Sequence, residues 1–305
     1  MDQPAVTAIV VAYNDEADLA ELLPGIVDPS VEVLVVDNAS ADGSAAVARA
    51  AGATVITAPS NVGWSAGGNL GARQARGDVL AFVNPDARPT AADLRRLARL
   101  LDAPDVGLSA PRFVEPSGEP QPFYFRFPTP WTGLFCFFGT AARVDQMLGH
   151  RHMSRRTYTF GRELPTEVDQ PGAACVLVRA ADFARYGGFD EQMFLFFSDT
   201  ELCRRLADDG LRVAVDWQLD VVHRGGGSVG KLADVDRQHL LRADYLRYAR
   251  RRFGPGGRAF TWSAYVGFGL VAVAARLLRG QPAAARRTLT LMRAGLRRDR
   301  RGRPA

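Results

Sequence analysis

The run Val79-Leu80-Ala81-Phe82-Val83 ends abruptly in Asn84-Pro85-Asp86-Ala87-Arg88-Pro89. Five apolar residues in succession read as a short strand buried on both faces. Pro85 donates no ladder hydrogen bond and keeps Asn84 out of helical geometry, so Asp86 falls just past the strand's carboxyl end. In an open α/β sheet that edge is where ligands bind. A carboxylate carried there by a rigid strand suits a divalent cation, which takes hard oxygen ligands. Asn, Pro and Asp are also turn formers, so the same tripeptide reads equally well as a plain turn.

Upstream, Val6 to Ala12 is a β-rich apolar run that ends at Tyr13-Asn14-Asp15-Glu16. A helix follows, with Leu19, Leu22 and Leu23 at helical spacing and Asp15 as its expected cap. Val31 to Val36 is a second strand, running out into Asp37-Asn38-Ala39-Ser40-Ala41-Asp42-Gly43-Ser44. Ser44 to Ala51 is helical and Thr54 to Thr57 a third strand. Asn61 to Gly71 is a glycine-rich turn that leads into a helix closing at Gly77. Strand and helix alternating in this way predict an α/β fold with a mainly parallel sheet. A dinucleotide fingerprint would place G-x-G-x-x-G directly after the first strand, where Tyr13 to Glu16 stand instead. Acidic residues end strands one, two and four. Carboxylates accept from the N–H and hydroxyl donors of a base and ribose, and a metal ion neutralises a diphosphate. The combination points to a nucleotide-diphosphate ligand.

Downstream, residues 91–102 form an amphipathic helix, Val106 to Ala110 a strand, and residues 113–165 an irregular, aromatic-rich segment. Pro171 to Arg179 reads as a buried strand. Met193 to Arg205 runs into a helix on which Ser198 and Glu201 have capping-box spacing. Leu211 to Val215 is a further strand, and His223 leads the glycine-rich loop Gly225-Gly-Gly-Ser-Val-Gly230. Neutral imidazole is an acceptable metal ligand, Arg224 and Lys231 are candidates to meet phosphate, and Ser228 is a weaker functional candidate in the same loop.

At 305 residues, 47% hydrophobic and 23% charged, the chain can bury a real core and is not disordered. Its net charge of +5 conceals an asymmetry. From Arg237 onward there are seventeen arginines against Asp244 and Asp299 alone. An acidic body with a basic tail predicts that the tail meets an anionic surface. Ala259 to Ala275 lacks charge, yet at 17 residues it is short for a membrane span. With Trp262 and Tyr265 suited to a headgroup boundary, it predicts a contact lying on the membrane. No recognition motif accompanies the Arg297 to Arg303 run, so no nucleic-acid partner is expected. Cys136, Cys175 and Cys203 lack metal-ligand spacing and read as reduced thiols, and no signal peptide is apparent, so a cytoplasmic location is expected.

The motifs Ile9-Val-Val-Ala-Tyr-Asn14, Val35-Val-Asp-Asn-Ala-Ser-x-Asp-Gly-Ser44, Asn61-x-Gly63 with Gly67-x-Asn69-x-Gly71, and Asn84-Pro-Asp86 occur in one order. Over roughly residues 5 to 230 the chain thereby resembles family 2 glycosyltransferases, specifically the bacterial rhamnosyltransferase subgroup that uses dTDP-rhamnose. The resemblance implies a GT-A fold and an inverting, Mg²⁺- or Mn²⁺-dependent transfer onto a glycan or lipid-linked acceptor at the inner face of the plasma membrane. It implies a nucleotide-sugar half over residues 1–112, an acceptor-binding and catalytic half over 113–235, and a basic helical extension over 236–305. It carries Ala12, Tyr13, Asn14, Asp37, Asn38, Asn61, Gly63, Asn69, Asn84 and Pro85 over as nucleotide contacts. Asp86 and His223 become metal ligands, Asp199 the catalytic base, and Gly172, Ala173 and Ser198 acceptor contacts. Asn84 stands in the first position of the family's D-x-D, and Ser198-Asp-Thr-Glu201 matches the family's Glu-Asp-x-Asp strictly only at its second position. A nucleotidylyltransferase and a catalytically silent binding subunit are the rival expectations.

Overall fold

A computed structural model describes residues 5–133, 158, 160, 165, 167–225 and 234–301. Cys136, Ser228 and Lys231 lie outside these residues, as do the side chains of the Arg297 to Arg303 run. The chain forms two compact units, the first made of Met1–Phe125, Arg162–Glu191 and Ser198–Leu232. The second comprises Arg126–Gly161, Gln192–Phe197 and Ala233–Ala305.

In the first unit the apolar runs pair as parallel strands. β1 (Val6–Ala12) lies between β2 (Val31–Asp37) and β4 (Val79–Val83), and β3 (Thr54–Thr57) extends the sheet beyond β2. β1 and β4 are buried at every position, which is why neither shows apolar–polar alternation. The complete order is β3-β2-β1-β4-β8-β5-β9, with β5 at Val106–Val114, β8 at Cys175–Arg179 and β9 at Arg212–Val222. A small separate pair joins β6 (Tyr124–Phe125) to β7 (Gln170–Pro171). β8 is antiparallel to β4, with Val83 opposite Cys175, whereas β5 and β9 pair in parallel. The mainly parallel α/β sheet is therefore as the sequence predicts, with one reversed strand at its centre. The chain leaves β1 toward β2 and β3, then crosses back to lay β4 on the other side of β1. That reversal makes the carboxyl ends of β1, β2 and β4 the sheet's switch point, where a ligand crevice opens.

Helices α1 (Glu16–Ile26), α2 (Ser44–Ala50), α3 (Trp64–Ala72) and α4 (Ala91–Leu100) cross between these strands. α4 has a capping box, Thr90 with Asp93, and buries Leu94 and Leu97. Asp15 does not cap α1 with its side chain. Its carboxylate accepts instead from the Tyr13 amide at 2.9 Å, folding the turn after β1 back on itself. α3 lies hard against β1 because it is glycine-rich. A β-carbon on Gly67 would stand 2.7 Å from a Val11 methyl, and one on Gly71 would stand 2.4 Å from Ile9 Cγ2. Two further elements complete the unit's helices, α5 (Ala180–Arg185) and α6 (Ser198–Asp208). The free thiols Cys175 and Cys203 are both buried, and desolvation pushes both upward, so neither is a ready nucleophile.

The second unit is built on α7 (Asp234–Arg252), α8 (Gly254–Leu278) and α9 (Pro282–Arg301). Met193, Phe197, Tyr245, Leu246, Tyr248 and Tyr265 form its main core. Asp244, one of the tail's two acidic residues, is buried there and accepts the amides of Phe194, Leu195 and Phe196 at 3.0–3.1 Å. α8 extends 25 residues, longer than the uncharged core of its sequence, and is the one described helix long and apolar enough to cross a membrane. Only 17% of its most apolar window is buried.

Gly71→Ala is expected to destabilise the fold by about 1–3 kcal/mol, because the added methyl cannot be accommodated between α3 and β1 without moving one of them. Urea unfolding checks this, and Gly210→Ala, where an added β-carbon meets nothing but φ is +80°, provides the comparison for backbone strain alone.

Candidate active site

The crevice starts at the end of β1. Ala12 pairs with Asp37, and the Asn38 amide donates to the Ala12 carbonyl at 2.8 Å, so the ladder runs one residue past β2. Beyond it the loops are tied side chain to backbone. Asn14, at φ +56°, receives from Ala41 on its Oδ1 at 2.7 Å and donates its amide to Ser40 Oγ at 3.0 Å. Asn38 donates to Asn61 Oδ1 at 2.9 Å and accepts from the Val62 amide at 2.8 Å. Asn61 also accepts from the amide of Gly63, whose φ of +87° turns the chain into α3. The loops after β1, β2 and β3 thus form one rim. Asp37 lies beneath it, buried, with one carboxylate oxygen accepting from the Ser40 amide at 3.1 Å.

The second side of the crevice is the Asn84-Pro85-Asp86 turn. Asn84 donates its amide to the Ala174 carbonyl at 2.8 Å and accepts from Trp64 Nε1 at 3.2 Å. The Trp64 ring is held by Phe82 and Phe189, 6.2 and 4.7 Å away between centroids. Asp86 is 5% exposed. His223, just past the end of β9, forms an isolated antiparallel bridge with Ala87, and its Nε2 stands 3.4 Å from Asp86 Oδ1. Two residues 137 positions apart are therefore neighbours because β9 delivers its end to the end of β4.

His223 is fixed on every side. Its ring packs on Phe123 at 4.8 Å and Phe113 at 6.0 Å, and its Nδ1 lies 2.7 Å from Gln121 Oε1. Among the described residues no group of three or more His, Cys, Asp or Glu side chains is placed to hold a metal ion, so Asp86 and His223 stand as a pair. The pair fits a divalent cation nonetheless. Adjacent corners of an octahedron with Mg²⁺-like bonds lie about 3 Å apart, close to the observed separation, and Mg²⁺ usually fills its remaining positions with phosphate oxygens and water.

Asp199 is carried by α6 as its second residue, and its Oδ1 accepts from the Thr200 amide at 2.8 Å. The Ala173 amide also donates to its carboxylate. Half-buried at this position, the carboxyl is pushed above its usual range, chiefly by desolvation and against the pull of these amides. The path from Asp86 to Asp199 is short in bonds. Asn84 holds Ala174, and the next residue, Ala173, holds Asp199. A second tie runs through α3, where Trp64 holds Asn84 and Ser65 Oγ lies 2.6 Å from Ser198 Oγ.

That last contact corrects one sequence expectation. Ser198 opens α6 rather than capping it, and its hydroxyl is spent on Ser65 rather than on the capping box with Glu201. Glu201 instead pairs with Arg205 at 2.6 Å, one helical turn on. Gly172 lies under Phe123, whose Cε1 would be 2.0 Å from an added β-carbon. Asn69 stands away from the rim: its amide group donates to the Phe189 carbonyl at 2.9 Å and Glu191 at 3.0 Å and accepts from the Phe189 amide. Gln121 was not visible as a site residue, because its partner lies 102 positions away and no local pattern marks it.

A half-buried carboxylate tied by hydrogen bonds through Ala173, Ala174 and Asn84 to the turn that carries a carboxylate–imidazole pair has the chemistry to activate a hydroxyl beside a charged leaving group. Comparison with known proteins gives the family and the fold. Residues 7–179 match the family model "Glycosyl transferase family 2". An N-acetylglucosaminyl-diphospho-decaprenol L-rhamnosyltransferase of Mycobacterium tuberculosis is 26% identical over 96% of this chain and 94% of its own length. A low-salt glycan biosynthesis hexosyltransferase of Haloferax volcanii is 23% identical over 72% of this chain and 66% of its own length. Among solved structures, a Pyrobaculum calidifontis mannosyltransferase in complex with GDP-Man and Mn²⁺ aligns over 98% of this chain and 87% of its own at TM-score 0.55 and 19% identity. Glucosyl-3-phosphoglycerate synthase of M. tuberculosis aligns over 83% of this chain and 81% of its own at TM-score 0.53 and 16% identity. These two likenesses concern the fold, which is GT-A. The chain belongs to glycosyltransferase family 2.

Proposed function

We propose that this chain is an inverting, metal-dependent rhamnosyltransferase, taking rhamnose from dTDP-rhamnose to a lipid-linked glycan acceptor in cell-envelope synthesis. The observation that carries the reading is the convergence of Asp86, His223 and Asp199 on one sheet edge through Asn84, Ala174 and Ala173. The M. tuberculosis relative, matched over 94% of its length, supports the sugar and the acceptor class. The structural neighbours with Mn²⁺ and a nucleotide support the cofactor class, Mg²⁺ or Mn²⁺.

In this reading Asp37 and the Asn14–Asn38–Asn61 rim receive the nucleoside, and Asp86 with His223 holds the cation. The cation supplies charge neutralisation on the departing diphosphate. Asp199 accepts the proton of the acceptor hydroxyl as its oxygen attacks the anomeric carbon, and the bond from that carbon to the diphosphate breaks on the opposite face. Desolvation strengthens Asp199 as a base, since its raised pKa narrows the gap to the hydroxyl it must deprotonate. The basic tail would, in the same reading, bring the protein to the inner face of the plasma membrane. On α8, Phe260, Gly267, Val271, Ala274 and Leu278 recur at helical spacing and are all exposed, with exposed Arg258 and Arg279 at the two ends. Arginines beside an apolar face match an anionic headgroup layer over an acyl layer.

Asp199→Asn should lower transfer by about 10²–10⁴-fold while leaving donor binding by calorimetry unchanged. Lost donor affinity would reassign Asp199 to the donor. The acid limb of the wild-type rate profile should lie above the ordinary aspartate value of 3.8. A carboxyl raised in the folded state binds its proton more tightly there than in the unfolded chain. Stability from this group is therefore greatest at low pH and is lost as pH rises through the interval above 3.8, a loss that Asp199→Asn should remove. Mn²⁺-dependent thermal stabilisation by a panel of nucleotide sugars should be largest with dTDP-rhamnose and should vanish in Asp86→Ala. Val271→Glu with Leu278→Glu should reduce sedimentation with phosphatidylglycerol vesicles and leave transfer to a soluble acceptor analogue unchanged. Equal sedimentation would remove the membrane contact.

A further inference from the structure

Gln121 occupies the turn after β5, where its backbone amide donates to the Phe113 carbonyl at 2.9 Å. Its side chain addresses His223 twice. Nε2 donates to the His223 carbonyl at 3.3 Å, and Oε1 lies 2.7 Å from His223 Nδ1. The first bond orients the amide, because a carbonyl can only accept. The end of Gln121 at the ring is therefore its oxygen, and Nδ1 must carry the proton. In the neutral imidazole that leaves the lone pair on Nε2, and Nε2 is the nitrogen that faces Asp86 at 3.4 Å. A lone pair opposite a carboxylate is repulsive on its own and becomes favourable when a cation sits between them. Phe113 and Phe123 block rotation of the ring out of this pose, and Gln121 and His223 lie in a region only 4% exposed at the imidazole.

We propose that Gln121 is a positioning residue for the transfer reaction, selecting the Nδ1–H tautomer of His223 so that Nε2 is presented to the cation shared with Asp86. This rests on the reading of Asp86 and His223 as the cation's ligands. It explains why the turn holds a glutamine with both amide ends engaged: a hydrogen-bonded outer residue fixes ring orientation and proton position for a histidine ligand, and its loss typically costs about 10–100-fold in metal affinity.

The test combines two readouts at one pH. Long-range ¹H–¹⁵N spectra of imidazole-labelled protein report which nitrogen of His223 carries the proton, and electron paramagnetic resonance follows Mn²⁺ titrated in the presence of dTDP, UDP or GDP, whichever wild type holds best. Wild type should show the proton on Nδ1. Gln121→Leu should redistribute the tautomers and weaken Mn²⁺ binding by about 10–100-fold. Gln121→Glu, which keeps an acceptor at Nδ1, should restore the tautomer and most of the affinity, so that a simple folding defect in the leucine variant is not mistaken for the effect. A wild-type proton on Nε2 overturns the proposal. So does Mn²⁺ affinity unchanged in Gln121→Leu but lost in His223→Ala. If His223→Ala itself binds Mn²⁺ like wild type, the cation reading of His223 falls instead, and the tautomer spectra tell that failure apart from one at Gln121.

Discussion

The site depends on one main-chain hydrogen bond, from the Asn84 amide to the Ala174 carbonyl, where the reversed strand β8 meets the end of β4. Were β8 parallel to β4, residues 173 and 174 would lie at the opposite, amino-end edge of the sheet. Because β8 runs antiparallel, its start rather than its finish lies beside the end of β4. Ala173 and Ala174 therefore reach Asp199 and Asn84 at once. Pro85 contributes by ending the β4 ladder where it does, so that Asp86 leaves the sheet and faces His223.

This arrangement stores cost where chemistry needs it. Asp86 and His223 are each at most 5% exposed, and Asp199 carries a desolvated carboxyl. With the proton of His223 on Nδ1, the Nε2 lone pair faces the Asp86 carboxylate, a contact that a cation between them would make favourable. The surrounding structure tolerates them because it is over-determined: the Phe113–Phe123 aromatic pair, the Trp64–Phe82–Phe189 cluster, and the glycine-backed packing of α3 on β1 leave these side chains no alternative pose. A preorganised site of this kind needs no rearrangement at the moment of reaction.

Much of the fold was legible in the sequence, because β1, β2 and β4 are continuous apolar runs ending in polar, turn-forming residues, and that pattern is local. The places of Asp37, Asp86 and Asp199 in the fold were legible for the same reason, each sitting at the end of a strand or the start of a helix. What could not be read was anything set by distant pairing. The reversed direction of β8 is invisible in Cys175–Arg179, whose apolar run suits either orientation. Ser198 has the composition of a helix cap, yet Ser65, brought close by tertiary packing, engages its hydroxyl, whereas at Asp15 the competing partner is local, the Tyr13 amide two residues back. Gln121 looks like an ordinary loop residue until the fold sets it against His223.

The most direct measurement is diffraction from crystals soaked with Mn²⁺ and dTDP, recorded to locate manganese by anomalous scattering. The account predicts a single peak in the crevice, bonded to an Asp86 oxygen and His223 Nε2, with the Asp199 carboxylate open to the same cavity and not bonded to the ion. Manganese held elsewhere, or held with His223 turned away from it, would contradict the account.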